Sequence, residues 1–204
     1  MIFAQNVLHA LQHSHKPYTI VNPSFPSFFR PPLLCFSGTV SFQDVLDDLQ
    51  IQRQKCSETA HVHAGFANRA RRMLAEPEIS EFLKSQTSVV FGGYSLGGAV
   101  AVIAAHLAEC DQLCKVRAVY TFGAPAVGDL SFTKEYRLAH RTFRYTLSDD
   151  IIPRSNFRYR HVGQHINMAY NGTSVIDNHI LTRYVDEVKA LSSLNCMYDD
   201  MPTD

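Results

Sequence analysis

The 204-residue chain has no tryptophan, no net charge and no long apolar run. Lys and Arg number 19, and so do Asp and Glu, so the basic footprint needed for nucleic acid is missing and no such partner is expected. A membrane-spanning helix needs about 18 or more consecutive apolar residues, and none is present, so no transmembrane segment is expected. The opening stretch MIFAQNVLHALQHSHKPYTIV has no basic leader, and Gln5, Asn6, His9 and Gln12 interrupt its apolar residues. No secretory signal is expected from it. Cysteine is sparse and odd in number: Cys35, Cys56, Cys110, Cys114 and Cys196. An odd count without a signal favours reduced thiols in an intracellular compartment. Cys110 and Cys114 lack a histidine pair at finger spacing, His61 and His63 lack a third ligand, and His9 and His13 lack the intervening glutamate of a zincin, so neither metal nor other cofactor is expected.

What is present is an ordinary globular balance, 46% hydrophobic and 19% charged, in a length that suits one domain with a full core. Apolar spacing predicts a short helix over 2–13 and strands over 18–21 and 33–39, with the proline-rich run 22–32 as a loop. Further on, strands are predicted over 60–66, 87–93, 116–125, 143–153 and 161–168. Helices are predicted over 67–86 (broken near Pro77), 96–112 and 178–194. Strands alternating with helices imply a mostly parallel sheet, and the nearly all-apolar strands 87–93 and 116–125 suit its centre.

Between the strand 87–93 and the helix 96–112 lies Gly93-Tyr94-Ser95-Leu96-Gly97, a G-x-S-x-G pentapeptide. That context matters more than the letters. A tight strand-to-helix turn strains the serine backbone, glycines two before and two after allow the close approach, and the helix N-terminus aims free N–H groups at the hydroxyl. Such a serine needs a base and an orienting acid, and on this arrangement they follow in the order Ser, Asp, His. Downstream, LSDDIIP offers Asp149 and Asp150 just after a strand, and His161, His165 and His179 follow.

Several further stretches carry a family resemblance: FSGTVSFQDVLDDL, VHAGF, GGYSLGGAVA, YTFGAPAVGD, DDIIPR, YRHVG and DNHILTRY, in that order. Together the run from about Leu33 to Tyr184 resembles the class 3 lipases, the fungal triacylglycerol-lipase-like family of α/β-hydrolases. The resemblance implies an α/β-hydrolase fold, a compact single domain with a mostly parallel central sheet flanked by helices. It divides the chain into an N-terminal helix, strand and loop (1–32), a catalytic core (33–194) and a tail (195–204). Ser95 is then the nucleophile, Asp150 the acid and His179 the base. Asp150 is preferred to Asp149 because the family's acid directly precedes the segment matched by Ile151-Ile152-Pro153, and His161 falls in a structural piece. The oxyanion donors implied are the backbone of Leu96 and the N–H and hydroxyl of Thr39. The family's lid falls on 40–51, where Phe42, Val45, Leu46 and Leu49 would form an apolar rim able to touch a lipid interface transiently. Three positions depart from the pattern: Tyr94 replaces a histidine, Ser37 replaces an arginine, and the lid lacks tryptophan. The activity implied is hydrolysis of lipid carboxylic esters through an acyl-enzyme. The alternatives are a catalytically silent lipase-like domain that binds lipid or protein, and an acyltransferase using the same triad.

Overall fold

Apolar runs that end in glycine or acidic turns become the strands of the central sheet. The computed structural model describes residues 1–22, 31–38, 53–155, 158–170 and 177–199. In chain order these give α1 (Ile2–Gln12), β1 (Tyr18–Val21), β2 (Leu33–Phe36), β3 (Arg53–Lys55), β4 (His61–His63), α2 (Ala64–Leu74) and α3 (Pro77–Ser85). Then follow β5 (Ser88–Tyr94), α4 (Leu96–Cys110), β6 (Lys115–Phe122), α5 (Leu130–Glu135), β7 (Thr142–Leu147), β8 (Gln164–Met168) and α6 (Leu181–Asp199). The main sheet runs β1-β2-β5-β6-β7-β8, with β1 antiparallel at one edge and every other pairing parallel.

Alternation along the strands divides the core in two. Leu34, Phe36, Val89 and Phe91 face the layer of α2, α3 and α4. Leu33, Cys35, Val90, Tyr120 and Tyr145 face α1 and α6. Both faces of β5 are apolar because helices cover both. Helix α4 is rich in alanine and glycine, and eleven of its residues are buried, so its backbone lies close against β5 and β6. The N-terminal and C-terminal helices α1 and α6 pack on one another, tied by a 3.0 Å bond from Gln5 Nε2 to Ser192 Oγ.

The structure differs from the sequence expectation in three places. The strand expected over 60–66 stops at His63, and Ala64 already begins α2. Ala64, Ala67, Ala70 and Leu74 are buried on one helical face, so the apolar period changes from two to about 3.6 at a residue that fits both patterns. β4 also pairs with β3 in a separate two-stranded sheet. The strand expected over 161–168 begins only at Gln164, because the chain turns at Gly163, φ +85°. His161 therefore does not share a strand with His165. Beyond β7, residues expected to continue the strand to 153 instead form a turn and the 3₁₀ turn Ile152–Arg154.

Among the described glycines, the closest approach lies at the start of α4. A β-carbon at Gly97 would sit 2.1 Å from the carbonyl oxygen of Phe36, and one at Gly93 would sit 2.2 Å from the carbonyl oxygen of Gly97. Backbone, unlike a flexible side chain, cannot step aside cheaply. Gly97→Ala is therefore expected to destabilise the chain by about 1–3 kcal/mol, the range for overpacking. Urea unfolding measures it; an unchanged midpoint would mean that α4 can lift from β2 without cost.

Candidate active site

Ser95 occupies the turn between β5 and α4 with φ +56° and ψ −129°. Left-handed backbone is uncommon for a residue with a β-carbon. Among the described residues it is shared by only one other non-glycine residue, Gln112. Here the conformation is held from both sides: Ser95 N–H donates to the Phe122 carbonyl at 2.8 Å, and the Ser95 carbonyl accepts from Gly98 N–H at 3.0 Å. Leu96 is the first residue of α4, where backbone N–H groups have no acceptor within the helix and the dipole presents its positive end. Gly38, at the end of β2, lies against this turn; a β-carbon there would stand 3.2 Å from that of Ser95. Thr39, expected to supply an oxyanion donor, lies outside the described residues, as do Phe42, Val45, Leu46 and Leu49.

The hydroxyl of Ser95 lies 2.8 Å from His179 Nε2, and His179 Nδ1 lies 2.7 Å from Asp150 Oδ2. Nδ1–H donating to the carboxylate leaves Nε2 as the acceptor of the serine proton. All three side chains are buried. Asp150 emerges where β7 ends, and its Oδ1 accepts the N–H of Ile152 at 2.9 Å. Asp149, its neighbour, is exposed and contributes only its carbonyl, to Asn178 Nδ2 at 3.4 Å. His179 ends a 3₁₀ turn, Asp177–His179, immediately before α6.

Sequence reasoning missed three residues that brace this arrangement. Tyr184, one of the apolar positions of the last helix, donates its hydroxyl to Asp150 Oδ2 at 2.5 Å and accepts Leu147 N–H at 3.3 Å. Burial first, then the Asp150 charge, hold the Tyr184 phenol well above its ordinary pKa, so it stays a donor. Tyr94 stacks on the His179 ring at 5.1 Å between centroids and donates its hydroxyl to the His179 carbonyl. Burial also raises its pKa. Gly123, at φ +60°, faces the same cluster; a β-carbon would approach Asp150 Oδ2 and the Tyr184 hydroxyl to 2.9 Å. The sequence signal available was the pair of tyrosines flanking the motifs, each with an apolar body and a polar tip.

Other sequence candidates lie elsewhere. His161 Nε2–H donates to the Pro153 carbonyl at 2.7 Å. His63 is buried and stacks on Phe66 at 4.1 Å, while His61 and Arg53 converge on Asp129 at 3.2 and 2.9 Å. The Cys35, Cys56, Cys110 and Cys114 thiols are free. Among the described residues no group of three His, Cys, Asp or Glu could hold a metal. In place of the arginine of the family pattern, Ser37 anchors its loop by hydrogen bonds: its hydroxyl lies 2.9 Å from both Ser14 Oγ and the Lys16 carbonyl.

The surroundings of His161 give a pH-dependent stability. Burial, then the nearby Arg144, lower its pKa to about 4. Unfolded histidine takes up its proton at about pH 6.5. Between these values the unfolded chain holds more protons, so this contribution is intact above about pH 6.5 and is lost as pH falls towards 4. Urea midpoints measured from pH 7 to pH 4 should fall less steeply for His161→Gln than for the native chain.

The sequence profile of Lipase (class 3) matches residues 33–159. Triacylglycerol lipase OBL1 of Ricinus communis is 33% identical over 115 residues, covering 51% of this chain and 22% of the relative. A lipase of Rhizopus niveus is 29% identical over 143 residues, covering 64% of this chain and 36% of the relative. The chain thus spans about a fifth to a third of the length of these relatives. In fold, the crystal structure of MDLA from Penicillium cyclopium is similar with a TM-score of 0.65 at 17% identity, over 85% of this chain and 80% of that one. With a family profile matched across most of its length and the fold shared with α/β-hydrolases, this chain belongs to the class 3 lipase family.

Proposed function

We propose that the chain is a serine hydrolase that cleaves carboxylic esters of lipids through an acyl-enzyme. The observation that carries this reading is the unbroken relay from Ser95 Oγ to His179 Nε2 and from His179 Nδ1 to Asp150, anchored on a serine at positive φ. Ser95 Oγ attacks the ester carbonyl carbon while His179 Nε2 takes its proton. Asp150 holds the imidazole in the tautomer that can accept and balances the imidazolium that forms. As the carbonyl oxygen turns negative, the Leu96 N–H supplies one donor, and Thr39, by the family resemblance, the other. The imidazolium then protonates the leaving alcohol, and a water activated by the same histidine releases the acid.

The substrate reading rests on relatives named as lipases and a triacylglycerol lipase. We assign the acyl chain to the cleft lined by Leu11, Tyr94 and Leu181 with Gly38, Lys16 and Arg69, next to the turn that holds Ser95. The amphipathic run 40–51 is the segment that would meet a lipid surface. We also place the chain in a reducing compartment, on the strength of its odd cysteine count and the free Cys35, Cys56, Cys110 and Cys114.

A fluorophosphonate probe should label the native chain at one serine and fail to label Ser95→Ala, with turnover of a short-chain nitrophenyl ester falling by on the order of a million-fold. Wild-type turnover in Ser95→Ala would refute the assignment. Asp150→Asn should lower turnover by about ten-thousand-fold through loss of the histidine tautomer, and Asp149→Asn far less; the reverse order would move the acid by one residue. Tyr184→Phe should leave the relay in place but free one Asp150 lone pair, a loss read as a smaller fall in kcat than that of Asp150→Asn.

A further inference from the structure

The outer strands β7 and β8 turn two different faces to their surroundings. Tyr145, Leu147, Ile166 and Met168 pack towards α1 and α6. The opposite face carries Arg144 and Thr146 on β7, with His165 and Asn167 as their register partners on β8. No apolar side chain of these strands is offered there for a helix to cover. Instead the segment after the triad acid folds over it, bringing Pro153, Arg154 and His161, and together they enclose a cleft of about 230 Å³.

Its charge is unbalanced. Among the described residues no carboxylate lies within ion-pair distance of Arg144 or Arg154. Arg144 Nε is shielded from solvent and has no hydrogen-bond partner there. Arg154 commits one guanidinium nitrogen to the Ser148 carbonyl at 2.8 Å. Burial lowers the Arg144 pKa only to about 10, so its guanidinium is charged at neutral pH. The His161 and His165 imidazoles are pushed down as well, first by burial and then by Arg144, and so stay neutral at pH 7. Asp150 backs the cleft, but Oδ1 is taken by Ile152 N–H and Oδ2 by His179 and Tyr184. A half-buried guanidinium with no counterion among the described residues is costly.

The neutral groups are ordered as well. His165 Nε2 lies 2.7 Å from Thr146 Oγ1, which donates to Asn167 Oδ1 at 3.1 Å, and Asn167 Nδ2 donates to Ser148 Oγ at 3.2 Å. With the threonine proton committed to Asn167, His165 is the donor to Thr146. This belt fixes the floor of the cleft and leaves the Arg144 guanidinium and the remaining N–H groups of Arg154 as its donors.

We propose that this cleft binds a phosphate group, with Arg144 and Arg154 as its charged ligands. Planar guanidinium forks match phosphate oxygens two at a time, and two fixed cations suit a phosphate dianion better than a carboxylate. The group is carried either by a phospholipid headgroup or by a soluble phosphorylated molecule; the chemistry recognised is the same. The site is separate from the ester-cleaving centre, yet the segment 150–154 belongs to both, so an occupied cleft bears directly on the loop that presents the triad acid.

Calorimetric titration of the full chain with inorganic phosphate, at ionic strength fixed with chloride, tests this without any turnover. The result therefore stands apart from the esterase reading. Saturable binding of one phosphate is expected, weakened at least about tenfold in Arg144→Gln and in Arg154→Gln, the weight of a charge-assisted contact. Arg154 is exposed, so its variant keeps the test open should Arg144→Gln fail to fold. No saturable binding to the native chain, or equal binding in the folded variants, overturns the proposal. Flotation with phosphatidylcholine vesicles, with and without phosphatidic acid, assigns the source. Arginine-dependent retention on the acidic vesicles identifies a lipid headgroup, and phosphate binding without retention identifies a soluble one.

Discussion

The carbonyl of Phe36 occupies the space where position 97 would carry a side chain. That contact between β2 and the first turn of α4 sets the geometry of everything above it. With the helix pressed down, the turn out of β5 has too few residues to be relaxed, and Ser95 is forced to positive φ. The same closeness brings Gly38 against Ser95, so the loop after β2 begins beside the nucleophile. Local strain of this kind costs on the order of 1–3 kcal/mol and persists only when the surroundings over-determine it. Here the surroundings are two backbone hydrogen bonds and an α4 buried along most of its length.

Around that fixed point the remaining groups come from the same edge of the sheet. Ser95 follows β5, Gly123 follows β6, Asp150 follows β7, and His179 comes back over the edge from beyond β8. Parallel strands send all their carboxyl ends to one side, where a crevice forms. Two tyrosines then brace the acid and the base. Tyr184, on α6, holds the carboxylate; Tyr94, next to the nucleophile itself, holds the backbone of the base.

Much of this was legible in the sequence because it follows from spacing. The pentapeptide between an apolar strand and a small-residue helix places Ser95 at the turn, and the sheet brings it together with Asp150 and His179. The parallel order and the two apolar faces also follow from the runs 87–93 and 116–125. What was not legible depended on groups that are silent in one dimension. Ala64 satisfies both a strand and a helix pattern, so the end of β4 is invisible until packing chooses. Gly163 could belong to an extended strand, and only its positive φ shows that His161 is turned away from β8. Tyr184 reads as one more apolar position on the last helix, because periodicity cannot tell a phenol that packs from one that also donates. Arg144 sits in a strand beside Thr146 as an ordinary alternating polar residue. That its nitrogen lacks a partner among the described residues is a property of the roof over it.

The tyrosines have an optical consequence. With no tryptophan in the chain, its near-ultraviolet absorption and emission belong mainly to nine tyrosines. Two of these report on the triad directly, one stacked on the His179 ring and the other bonded to Asp150. A change in the charge of that imidazole, or the arrival of an acyl group on Ser95, alters the surroundings of both chromophores at once. The native chain thus carries its own spectroscopic labels against the Ser95–His179–Asp150 relay.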